Sequence, residues 1–168
     1  EKSAKGEMDD ANRGQRSGPT VSSYFRALDV MADKSDVDIQ LLAIPGIRQE
    51  VVTDQAILKV EDRFGALYIM DVEERDNVNT VVTSSAQKDS VSVSNTVTSF
   101  DARNLDTSFA AAYFPDVTMT VAQKSLDSQT KVLREQTTSV VVPPSVAVLG
   151  AFSANDRVAF PWFAAAGF

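Results

Sequence analysis

Three short apolar runs, each without the polar alternation of a half-buried strand, constrain the fold of this chain most: "VDIQLLAIPG" (37–46), "ALYIMDV" (66–72) and "SFAAAYFP" (108–115). A run of this length that is apolar throughout suits a strand covered on both faces, as in a parallel sheet. Between the first two lies "IRQEVVTDQAILKVEDRFG", where Val52, Ala56, Val60 and Phe64 recur every four residues and Gly65 stands ready to end a helix. Before the first run, Val21, Phe25, Leu28 and Met31 mark one face of another helix, with Thr20 as its N-cap. Between the second and third runs, residues 73–88 read as a long polar loop with room for one short element. Asp89–Leu105 then carries a loose helical pattern at Val93, Val97, Phe100 and Leu105. Ser, Thr and Val are weak helix formers, so the helix is expected there mainly because strand–helix alternation requires one.

This order implies an α/β fold with a mainly parallel sheet and helices on both faces. The rhythm changes after Pro115. "DVTMTVAQKSLDSQTKVLREQTTSVVVPPS" reads as two β segments around Asp127-Ser128, a β-hairpin or extended excursion in the C-terminal third. Pro143-Pro144-Ser145 then opens a helix expected over about 145–155. Residues 1–19 show no hydrophobic period and are expected to form a flexible polar segment ahead of one core domain over 20–168.

Composition removes several classes of chemistry. With no Cys and no His, neither a thiolate, a disulfide, a Ser-His-Asp triad nor an H-E-x-x-H site can be built. A net charge of −7 with scattered Lys and Arg argues against nucleic acid as a partner, and no apolar run is long enough to insert in a membrane as a helix. "AIPGI" at the first strand–helix junction has neither the G-x-G-x-x-G of a dinucleotide site nor the Lys of a P-loop, and a tight turn at Pro45-Gly46 accounts for it. The carboxylate pairs Asp36/Asp38, Glu61/Asp62 and Glu73/Glu74 fall at a strand start, on a polar helix side and at a loop start, where carboxylates simply meet solvent. No catalytic, cofactor or metal site is expected, and no cofactor. An alternative reading places a ligand or nucleotide in a crevice near Gly46, Asp71 and Asp116 at the strand ends.

The second half carries a resemblance. "AAAYFPDVTM", then "VVVPPSVAVLGAFSANDRV", then "FPWFAAAGF" is similar, in order and spacing, to the core of contractile-tail sheath proteins of bacteriophages, and "LLAIPGI" matches an earlier strand step of that family. Ala165 departs from it, standing where many relatives have Pro. The likeness covers roughly 20–168 and is strongest from Ala110. It implies a structural, non-enzymatic virion protein of the tail, assembled in the host cytoplasm from many copies in a helical tube around a tail tube. Contraction would drive that tube through the host envelope, with tail tube and baseplate proteins as further partners. A sheath of a related injection or secretion system is the neighbouring possibility. On this view the chain is a central fragment, with another domain after Gly167. Lys124, Lys131, Arg134, Glu135 and Arg157 are candidate intersubunit contacts, since charges at an interface rim set register and partner choice. Pro45, Gly46, Pro143, Pro144, Trp162 and Gly167 are structural motif positions, and Trp162 and Phe163 are expected to pack against their own domain or its continuation.

Overall fold

The computed structural model describes residues 19–82, 91–126, 133–160 and 162–165. Contacts divide the chain into two compact units, Glu1–Phe114 and Pro115–Phe168, each described by itself.

In the first unit the order is α1 (Pro19–Ala32), β1 (Leu41–Ala43), α2 (Glu50–Arg63), β2 (Leu67–Asp71), α3 (Val93–Asp101) and β3 (Ala110–Tyr113). The three strands form one parallel sheet with β2 in the centre, Leu41 opposite Leu67 and Tyr68 opposite Ala110. The fold is α/β with a parallel sheet, as the alternation of runs implies. Central β2 is buried from Tyr68 to Asp71 on both of its faces, which is why its sequence does not alternate. Val52, Ala56 and Val60 of α2 are buried at their four-residue spacing and meet Val21 and Leu28 of α1 in one core with Tyr68 and Met70. A row of apolar side chains at i, i+4 and i+8 covers one helical stripe, and burying it is what holds a helix of this length in place.

Several boundaries differ from the sequence pattern. The run 37–46 is a strand over Leu41–Ala43 alone, because β1 is an edge strand with one neighbour and the chain turns at Pro45-Gly46, where Gly46 has φ 81°. Thr20 is not an N-cap: α1 already includes Pro19, whose fixed φ suits the first helical turn. Phe64 is not on the buried face of α2. It caps that helix with φ 48°, lies 73% exposed and packs its ring 5.3 Å from that of Phe109. Gly65 follows with φ 139°, in a conformation that side-chain-bearing residues rarely adopt. α3 is shorter than Asp89–Leu105, starting after its Ser92 cap and ending before Asn104 turns the backbone at φ 49°.

The second unit contains β4 (Val117–Leu126), β5 (Leu133–Val142) and α4 (Pro144–Val158). β4 and β5 pair antiparallel along their whole length, from Val117 opposite Val142 to Leu126 opposite Leu133. This is the expected hairpin; Asp127-Ser128 at its turn lie outside the described residues. α4 begins at Pro144, with Pro143 as N-cap, and runs three residues beyond the expected Asn155.

Candidate functional site

In α/β folds ligands gather at the C-terminal ends of parallel strands, so the segments leaving β1, β2 and the end of α3 are the place to look. Gly46, in the turn after β1, donates its backbone N–H to Asp71 Oδ2 at the end of β2, at 3.0 Å. The side chain of Asp71 is 2% exposed. A turn amide that would otherwise face an anion is therefore engaged by the chain's own carboxylate.

Ion pairs fill the rest of this edge. Arg48 stands 3.7 Å from Glu74, which is 1% exposed, and Arg75 lies 3.0 Å from Glu73. The guanidinium of Arg103 donates to Thr53 Oγ1 at 2.9 Å and to the Asp54 carboxylate, both on α2, and lies over the Phe100 ring at 5.8 Å. A charge as buried as that of Glu74 persists only when paired. The recess between Arg48, Glu73, Ser99, Phe100 and Arg103 measures about 10 Å³, room for at most one water. Behind it, Tyr68 is fully buried with its hydroxyl unpaired, and burial, with Asp71 nearby, pushes its phenol well above the ordinary value of 10.0. A tyrosine held neutral in this way does not serve as a general base at neutral pH.

Next to this edge a cleft of about 410 Å³ is lined by Phe100, Asp101, Asn104, Leu105 and Asp106. Among the described residues no group of three or more potential metal ligands comes together. Asp36 and Asp38 are exposed ahead of β1, as carboxylates at a strand start should be. Glu73 and Glu74 are the exception to the solvent reading: Arg75 and Arg48 pair with them, and nothing in the local sequence around Arg48 signals that it meets Glu74. Of the crevice residues, Gly46 and Asp71 meet, while Asp116 belongs to the second unit.

The second unit holds the other candidates. Lys124 and Glu135 stand opposite each other in the hairpin register, and Arg134 stands opposite Ser125. Lys124 is exposed, as is Arg157 in the last turn of α4. Lys131 and Gly167 lie outside the described residues. Pro45 and Gly46 make the turn after β1, and Pro143 and Pro144 open α4, Pro144 being buried. Trp162 and Phe163 are not packed into their unit: they are 76% and 55% exposed, and Trp162 stacks on Phe160 with ring centroids 4.7 Å apart. Aromatic stacking of this kind hides one ring face of each partner and leaves the other in water.

No protein-family model, curated protein or solved structure matches the chain.

Proposed function

We propose that the chain is a structural subunit of a contractile tail sheath, which assembles helically with copies of itself around a tail tube and drives that tube through the host envelope on contraction. The observation that carries this reading is the β4–β5 ribbon. Two ten-residue strands pair with each other alone among the described residues, so each keeps an outer edge of N–H and C=O groups open. Met119, Val121, Val140 and Val141 on it are between 38% and 44% exposed. An isolated two-stranded ribbon is marginal in water, and open edges are natural places for strand addition by another chain. The ribbon runs directly into the V-P-P-S helix on which the resemblance rests.

Electron microscopy of the protein under assembly conditions tests this: long tubes of regular helical pitch are expected, and small globular particles alone would overturn the proposal.

A further inference from the structure

α3 is attached to its unit differently from α2. It buries one residue, Thr96, whose side chain is polar, while its Val93 and Val97 are 61% and 57% exposed. Phe100 is its one apolar side chain packed, in part, against the core. α2 in contrast buries Val52, Ala56, Ile57 and Val60. A nine-residue helix of Val, Ser, Asn and Thr has neither the propensity nor the length to persist without help.

That help is polar and sits at both ends. At the start, Ser92 N donates to Arg75 O at 2.8 Å, Arg75 N donates to Thr96 Oγ1 at 2.9 Å, and Asn95 Nδ2 donates to Asp76 O at 2.8 Å. At the end, Arg103 reaches back to Thr53 and Asp54 of α2 and places its Nη1 3.9 Å from Met70 Sδ of β2. Asp54 is about half exposed, so this contact is open to competition from water and salt.

We infer that α3 is a latched element that opens by itself, with Arg103 as the latch, while α1, α2 and the sheet stay folded. Free energy for a local opening scales with the apolar surface it exposes, and α3 exposes little beyond one phenyl ring. The inference stands independently of whether the chain assembles.

Residue-resolved amide hydrogen exchange on the full chain tests it. The amides of Thr96–Asp101 are expected to exchange at least about tenfold faster than those of Ala56–Val60 and Tyr68–Met70, through openings that denaturant barely accelerates. Arg103→Gln should speed α3 by roughly another tenfold, the worth of one charge-assisted contact, and leave α2 unchanged. Raising NaCl to about 1 M in the wild type should move α3 in the same direction, alone. A common exchange rate for α3, α2 and β2 would overturn the inference. So would equal acceleration of all three in Arg103→Gln, or failure of that variant to fold, because a latch on α3 does not hold the rest of the unit together.

Discussion

At the scale of single residues, two buried polar groups of the first unit, one satisfied and one not, make opposite predictions. Arg63, 6% exposed, donates to Met31 O at 2.8 Å and to Val37 O at 2.5 Å, tying the end of α1 and the approach to β1 onto α2. Arg63→Met keeps the stem but strips two carbonyls of their donor; a loss of about 2 kcal/mol in urea unfolding is expected. Tyr68 has a fully buried hydroxyl with no hydrogen-bond partner. Tyr68→Phe removes an unpaid desolvation cost, and stability equal to or up to about 1 kcal/mol above wild type is expected in the same measurement. The phenol's raised pKa adds a signature at alkaline pH. The unfolded tyrosine ionises near about pH 10 while the folded one holds its proton, so the folded state is favoured fully below that pH and loses ground above it. Tyr68→Phe should flatten that decline.

At the scale of elements, the turn after β2 shows how little sequence is needed to build structure inside a segment that reads as loop. Asp76 accepts from Val78 N, Thr80 N and Thr80 Oγ1, and isolated bridges join Arg75 to Val81 and Asp76 to Val91. These hydrogen bonds, that of the Thr80 hydroxyl first, hold the carboxyl below the usual aspartate value of 3.8. The depressed pKa means that the turn is intact above the ordinary aspartate range and loosens as pH falls through the folded value. In an NMR titration the Val78 and Thr80 amides should shift together at a midpoint below that of a free aspartate, and Asp76→Asn should abolish the transition. The D-x-x-x-T spacing was there to be read, but an Asx turn is recognised by where its backbone N–H groups point. The same holds for α3: its existence followed from alternation, whereas its boundaries depended on Ser92 as a cap and on Asn104 adopting a left-handed backbone.

At the scale of the whole molecule, charge is unevenly divided. Residues 115–168 balance Lys124, Lys131, Arg134 and Arg157 against Asp116, Asp127, Glu135 and Asp156, and residues 1–18 balance as well, so the net charge of −7 falls on 19–114. Copies brought together repel through that part, and salt screens the repulsion over a Debye length of about 10 Å at 0.1 M. Light scattering should therefore report self-assembly that strengthens from low to moderate salt; assembly that weakens as salt is added would point to attractive ion pairs as the main contact. The division of the chain at Phe114-Pro115 coincides with the change of rhythm after Pro115, since a switch from helix-and-strand alternation to paired β segments is a change in which elements have neighbours to pack against. From its residue pattern alone the sequence determined the parallel sheet, the α1–α2 core face and the hairpin, because hydrophobic period and chain order restrict which elements can bury one another. It also excluded His- and Cys-based chemistry by composition. Tertiary structure alone decided that Phe64 turns outward, that Glu73 and Glu74 meet arginines and that Asp71 occupies the turn amide of Gly46. The last two depend on residues 25 and 26 positions apart, Gly46 with Asp71 and Arg48 with Glu74, arriving at one strand edge, a proximity that no local pattern encodes.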